Sequence, residues 1–344
     1  MSSSRKLRCG VIGVGRMGRH HARTYAQIEE CELVGVVDQN AERRAAITDE
    51  WGGEPCAAVR ELIDLGVEAV TIATPTIHHR AAAEELLAAG VACLVEKPLA
   101  PDVAEARAIA DAAARAGVVL QVGHIVRYDP LMRAIRAIEG VTPRFIEVDR
   151  ISPMTFRSVD VSVVLDMMIH DLDLLLMFVG AEPERVDANA VCVVGEFEDV
   201  CNARLTFPPL KDGLRCVANV TASRLALKTE RKFRIFSEDA YISADFVAGK
   251  ATVVRKTANE QQLAEVREQL RAGKDLSSVN YLELVKVEPL NIKQEEPLKL
   301  QILDFLAAVR GEKQPVVDAE AGFAAVRTAE RIIDSARAAG SRMV

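Results

Sequence analysis

Leu7-Arg-Cys-Gly10-Val-Ile-Gly13-Val-Gly15-Arg16-Met17-Gly18 is the stretch from which the fold of this chain is read. Its first six residues, Leu7–Ile12, have the length and apolar character of a buried strand, and the residues after them spell Gly-x-Gly-x-x-Gly at Gly13, Gly15 and Gly18. Each glycine has its own physical task. Gly13 permits a tight turn, Gly15 lets backbone N–H groups approach a pyrophosphate at a helix N-terminus, and Gly18 lets that helix pack closely on the strand. The motif alone is a weak signal, and its context strengthens it. The next strand, Leu33–Val37, runs into Asp38, 20 residues beyond Gly18. An acidic side chain there can bond both ribose hydroxyls and repels a 2′-phosphate. A turn that merely needs glycines explains neither the third glycine nor the acid. The expectation is a bound dinucleotide, NAD in preference to NADP, held by Gly13, Gly15, Arg16, Met17, Gly18 and Asp38. Arg43 and Arg44 lie close enough to temper that preference.

Outward from this stretch, the apolar runs Ala69–Ala73, Val91–Val95 and Val118–Val122 alternate with Ala-, Glu- and Arg-rich helical patterns such as Asp102–Ala116. Continuous apolar strands separated by helices predict a parallel, doubly wound sheet covered on both faces. Near Gly123 the rhythm changes. A short helix over 132–139 precedes strand-like runs at Arg144–Asp149, Glu184–Glu196, Asn202–Thr206, Arg215–Thr221, Lys232–Phe236, Tyr241–Phe246 and Ala251–Arg255. These lack long intervening helices and predict a mainly antiparallel sheet. Helical patterns at Leu165–Phe178, 259–272, Leu298–Ala308 and Glu320–Ala338 complete the chain. The fold class is therefore α/β: a Rossmann domain over 1–123, then an α+β domain over 124–344 with an open, mainly antiparallel sheet. The last helices are free to pack back on the first domain.

Composition narrows the function classes. The 344 residues carry 43 Lys plus Arg against 50 Asp plus Glu, a net charge of −7, which disfavours nucleic acid as the main partner. No apolar run approaches the roughly 18 residues of a membrane span. The first residues lack the long apolar region of a signal peptide. Seven cysteines, with no Cys-x-x-Cys pair, read as reduced and mostly buried thiols of a cytoplasmic protein rather than a disulfide frame or zinc site. No His/Cys/Asp cluster has the spacing of metal ligands.

Two further strand ends carry chemistry, because ligands of open parallel sheets bind beyond the carboxyl ends of the strands. One is Ala73-Thr74-Pro75-Thr76, followed by His79; the other is Val95-Glu96-Lys97-Pro98. Thr74, Pro75, His79, Glu96 and Lys97 are thus expected to face the cofactor. In the helical run Leu165–Phe178, Asp166, His170 and Asp173 stand at i, i+4 and i+7 and share one face of a regular helix. His170 has the side chain suited to a general base, Asp166 could bond substrate or tune that base, and Lys97 could stabilise a developing alkoxide. Whether Lys97 or His170 takes the proton is left open by the sequence.

Together, Gly13–Gly18, Thr74-Pro75 with His79, Glu96-Lys97-Pro98, Asp166-Met-Met-Ile-His170-Asp-Leu-Asp173 and Glu296-Pro-Leu resemble the glucose-fructose oxidoreductase, inositol dehydrogenase and rhizopine-catabolism (Gfo/Idh/MocA) family over nearly the whole chain. The resemblance implies NAD(P)-dependent oxidation or reduction of a ring hydroxyl, catalysis by Lys97, Asp166 and His170, and a cis bond before Pro98. It also implies homo-dimers or homo-tetramers formed through the outer face of the second sheet. Gly123-His-Ile-Val-Arg127-Tyr128-Asp-Pro and Arg150-Ile-Ser-Pro-Met-Thr-Phe-Arg157-Ser-Val-Asp160 resemble, more narrowly, the bacterial UDP-N-acetylglucosamine 3-dehydrogenase subgroup. That subgroup more often has Phe-Asn where this chain has Tyr128-Asp129. On this reading the substrate is a sugar nucleotide oxidised at C3, with Arg127, Tyr128, Arg157 and Asp173 at the substrate. Arg150 is a further candidate, since arginine pairs bidentately with phosphate. The alternatives are a dehydrogenase of a free sugar or cyclitol, which needs no such arginines, and a non-enzymatic NAD-binding regulator, which normally loses the catalytic residues present here.

Overall fold

Six parallel strands in the order β3-β2-β1-β4-β5-β6 form the first sheet. They are β1 (Leu7–Ile12), β2 (Cys31–Val37), β3 (Glu54–Cys56), β4 (Ala69–Ile72), β5 (Ala92–Glu96) and β6 (Leu120–Gly123). The computed structural model describes residues 5–155, 161–258, 260–273 and 283–341. Helices α1 (Arg16–Gln27), α2 (Ala41–Trp51), α3 (Val59–Asp64), α4 (His79–Ala88) and α5 (Val103–Ala116) cover this sheet on both faces. That coverage is why β4 and β5 are buried at every position. Local sequence sets the helix ends: the Asn40 side chain accepts from Arg43 N to start α2, and Asp102 accepts from Glu105 N to start α5. The chain moves from β1 outward to β2 and β3, then returns to pair β4 on the other edge of β1. This reversal opens a crevice beyond the carboxyl ends of β1 and β4.

The second sheet follows α6 (Pro130–Arg136) and has eight strands: β7 (Phe145–Ile151), β8 (Arg185–Val191), β9 (Val200–Pro209), β10 (Arg215–Ser223), β11 (Glu230–Phe236), β12 (Ala240–Asp245), β13 (Lys250–Lys256) and β14 (Val285–Pro289). Their order is β14-β13-β12-β11-β7-β10-β9-β8, antiparallel throughout except for the parallel β7–β10 pair. Buried residues alternate with more accessible ones along β7, β9 and β12. The inner face packs under α7 (Ile169–Val179) and α10 (Ala319–Ala338), while polar pairs such as Arg204–Asn219 and Arg234–Glu147 occupy the outer face. Between α7 and α10 the chain forms α8 (Glu260–Arg271) and α9 (Pro297–Val309). Leu298, Ile302, Phe305 and Leu306 of α9 share a core with Cys9, Val11 and Tyr25.

Two strands escape the sequence pattern and two local expectations are corrected. The three-residue edge strand β3 contains Pro55 and gives no apolar run, and β14 (Val-Lys-Val-Glu-Pro) is too polar to stand out. The strand expected over Glu184–Glu196 ends at Val191, because the Asp199 carboxylate accepts from the N–H groups of Val193 and Val194 and folds the chain into a turn. The expected regular helix from Leu165 begins instead as a π-helical turn, Val164–Met168, before α7 continues. None of the seven cysteines forms a disulfide among the described residues, and six are buried. Among the described residues, no helix is long and apolar enough to cross a membrane and no group of His, Cys, Asp or Glu could hold a metal ion.

Candidate active site

The Gly-rich turn has the geometry its spacing predicts. Gly13 has a φ of +82°, and a Cβ there would lie 2.8 Å from Thr74 N. At Gly18 a Cβ would stand 1.8 Å from Gly13 O, so no side chain fits between α1 and β1. At Gly15 a Cβ would meet nothing within 4 Å, which leaves open space before the N-terminus of α1. Arg16 is exposed and Met17 half-buried beside that space. Asp38 ends β2 with its Oδ2 accepting from Val14 N at 2.9 Å and its Oδ1 accepting from Asn40 N at 2.9 Å. Arg43 lies 3.4 Å from the same carboxylate, and Arg44 donates to the Asp38 carbonyl. A cavity of about 570 Å³ opens alongside, lined by Gly13, Asp38, Asn40, Arg43, Thr74 and Pro75 among others. The Thr74 hydroxyl is buried there without a hydrogen-bond partner among the described residues. An open glycine cradle, an acid at the ribose position and an orphaned hydroxyl together fit a dinucleotide.

His79 stands elsewhere. It is buried, with Nδ1 3.1 Å from Pro98 O and Nε2 3.0 Å from Thr74 O. Burial pushes its pKa down, against the pull of these carbonyls. His79 therefore ties the turns after β4 and β5 together instead of lining the cavity. Glu96 is also withdrawn, accepting from His21 Nε2 at 2.8 Å and from Lys97 N at 3.3 Å. Burial acts to raise the Glu96 pKa, but His21 and then Lys97 bring it below the ordinary carboxylate value. The Lys97–Pro98 peptide is cis.

A second cavity, about 300 Å³, is lined by Lys97 after β5, Arg150 and Ile151 of β7, Ser152, Asp166 and Met167 of the π turn, His170 of α7, and Arg224 and Arg231 from the second sheet. Lys97 Nζ donates to Asp166 O at 2.7 Å and to Asp166 Oδ1 at 3.2 Å. Asp166 in the π turn and His170 in the first turn of α7 both line this one wall. Burial, reinforced by Lys97, Arg150, His124 and Arg231, holds the His170 pKa well below its ordinary value. His170 is thus a neutral imidazole at neutral pH. The His124 ring meets it edge-on at 6.5 Å, with both His124 nitrogens buried and without a hydrogen-bond partner among the described residues.

Several expected substrate residues are not part of this wall. Arg127 donates to both oxygens of Asp173, at 2.7 and 2.6 Å, and to Val316 O, and both partners are buried. Tyr128 donates to Asp304 at 2.6 Å and is likewise buried. Arg127, Tyr128 and Asp173 therefore join the two sheets and the C-terminal helices instead of facing the cavity. Asp173, three residues after His170, is buried with its carboxylate taken up by Arg127 and does not line the cavity. Arg157 lies outside the described residues. Conversely, Ser152, Met167, Arg224 and Arg231 line the cavity without having been named as site residues from the sequence: Arg231 is placed by the β7–β11 register, Ser152 and Arg224 directly follow β7 and β10, and Met167 lies in the π turn.

Residues 7–124 match the family model described as "Oxidoreductase family, NAD-binding Rossmann fold", and residues 135–243 match the "GFO/IDH/MocA C-terminal domain". The chain is 37% identical to the UDP-N-acetylglucosamine 3-dehydrogenase of Acidithiobacillus ferrooxidans, over 92% of this chain and 93% of that protein. The chain belongs to the Gfo/Idh/MocA oxidoreductase family. A solved structure of the Acidithiobacillus enzyme, GnnA, superposes with a TM-score of 0.84 at 35% identity, covering 97% of this chain and 98% of that one. An inositol 2-dehydrogenase of Rhizobium meliloti is 30% identical over 55% of this chain and 59% of its own length. As a Gfo/Idh/MocA member, this chain is an NAD-dependent dehydrogenase.

Proposed function

We propose that this dehydrogenase exchanges a hydride between NAD and the C3 ring hydroxyl of a UDP-N-acetylhexosamine, with UDP-N-acetylglucosamine the first substrate to test. One observation carries the chemistry: Lys97, Asp166 and His170 come from separate elements to one cavity wall. The substrate is suggested by the relative that matches nearly the full chain at 37% identity. Gly13, Gly15, Gly18, Asp38 and Thr74 would hold the dinucleotide, whose nicotinamide accepts the hydride when bound. Asp38, at the ribose position, favours NAD over NADP. His170, neutral because of burial and its cationic neighbours, can take the hydroxyl proton. Lys97 is already a donor to two oxygens of Asp166, so its role is to hold the reacting oxygen and stabilise alkoxide charge. Asp166 fixes the Lys97 ammonium at the mouth of the cavity. The reading carries with it a cytoplasmic enzyme that self-associates through the outer face of its second sheet.

The test follows NADH formation with a panel of UDP-sugars, free hexoses and inositols. UDP-N-acetylglucosamine should give the highest kcat/KM. Preferred turnover of an inositol or a free hexose would replace the substrate assignment, and no turnover of any member of the panel by NAD-loaded protein would remove the enzymatic reading.

A further inference from the structure

The second cavity collects four cations in a chain whose net charge is −7. Three of them are committed. Lys97 is paired with Asp166. Arg150 donates from Nε and Nη2 to the two oxygens of Asp171, both at 2.6 Å. Arg224 pairs with Asp199 and donates to the carbonyls of Val161 and Glu198. The fourth, Arg231, has no side-chain hydrogen bond or ion pair among the described residues, and its Nε is buried without a partner. The ring of Phe246 lies 5.5 Å from its guanidinium carbon and holds the fork by stacking.

Sheet register explains how it comes to be there. Arg231 on β11 stands directly opposite Arg150 on β7, so both side chains project from the same face, with Cβ atoms about 5 Å apart. Two adjacent guanidiniums repel, and the Asp171 carboxylate accepts hydrogen bonds from only one of them, Arg150. Burial first, and Arg150 second, push the Arg231 pKa down to about 10, with Asp171 and Asp129 offsetting part of this. A desolvated cation with an unused fork, beside a paired one, is a seat for an anion of matching geometry.

We propose that Arg231 receives the phosphate oxygens of the sugar nucleotide's diphosphate, with the Arg150–Asp171 pair as its positioning neighbour. The inference rests on the sugar-nucleotide reading above and deepens it, since a free sugar or cyclitol has no charge to satisfy this fork. Arg231 would set affinity, not the rate of the chemical step, because the phosphates are equally charged before and during hydride transfer.

The experiment compares wild type with Arg231→Gln and Arg231→Lys, each loaded with NAD. Arg231→Gln should raise KM for UDP-N-acetylglucosamine about 10- to 100-fold with kcat within about threefold, the loss expected for a charge-assisted contact. Competitive inhibition by UDP should weaken by the same factor. Arg231→Lys keeps the charge but not the fork and should fall between, which covers the case in which the glutamine variant folds poorly. The Tm of the wild type should rise with inorganic pyrophosphate, and that rise should vanish in Arg231→Gln. KM and UDP inhibition within twofold of wild type in both variants would overturn the proposal. If no UDP-sugar is turned over, the substrate reading fails by itself, and the UDP and pyrophosphate binding of the variants still decides the role of Arg231.

Discussion

Lys97→Met removes one charge from the cavity and keeps most of the side-chain volume, so its consequences are electrostatic. Lys97 Nζ stands 3.2 Å from Asp166 Oδ1, and its side chain is 19% exposed. A cation at that distance from a developing alkoxide attracts it by about 5 kcal/mol at an effective dielectric near 20. Part of this is lost to solvent and to competition from Asp166, whose side chain is 36% exposed. A net loss of about 3–5 kcal/mol in the barrier corresponds to a fall in kcat of roughly 10²- to 10⁴-fold. The dinucleotide is expected to be held by the Gly13–Gly18 turn and Asp38, so the Kd of NADH should change by less than about threefold. A second signature follows from His170. After burial, the Lys97 charge does most to hold the His170 pKa down. Removing that charge raises the pKa, so the acid limb of kcat/KM should move to higher pH. Initial rates from NADH absorbance between pH 5.5 and 9, with NADH binding by fluorescence, measure all three quantities. Turnover within a few-fold of wild type, or a weakening of NADH binding as large as the loss of turnover, would refute the assignment.

Asp38→Ser should lower the NAD-over-NADP ratio of kcat/KM by at least about tenfold, because the carboxylate that opposes a 2′-phosphate is gone while Arg43 and Arg44 remain; an unchanged ratio would show that Asp38 does not select the cofactor. Arg127→Met leaves the buried Asp173 carboxylate without its cation, so urea unfolding should lose about 3–5 kcal/mol while KM for substrate stays near wild type. A raised KM with unchanged stability would return Arg127 to the substrate site. His79, His124 and His170 all have depressed pKa values, chiefly from burial. Below about pH 6.5 the unfolded chain therefore binds more protons than the native one, and stability is lost as pH falls from 6.5 toward the native values. The urea midpoint should drop from pH 7 to 5.5, and less steeply in His124→Asn; a flat profile would contradict the neutral, buried state of these rings.

The sequence by itself determined the nucleotide half of this protein. Gly13, Gly15, Gly18 and Asp38 lie within one strand-helix-strand unit, where spacing along the chain dictates spacing in space, and the glycine distances repeat what the motif requires. The parallel sheet was legible for the same reason, since strands buried on both faces leave unbroken apolar runs. Lys97, Asp166 and His170 could be named from their motifs, but their meeting could not, because 69 residues separate Lys97 from Asp166. Tertiary structure alone decided which arginines are free. Arg127, Arg150 and Arg231 look alike in a sequence, and only packing shows that Asp173 and Asp171 occupy the first two while the β7–β11 register sets the third at the cavity, without an ion pair among the described residues. The π turn belongs with these. Its backbone hydrogen bonds are not written in the spacing of apolar residues, and neither is the pairing that leaves Asp166 and His170 at the cavity while Arg127 holds the Asp173 carboxylate.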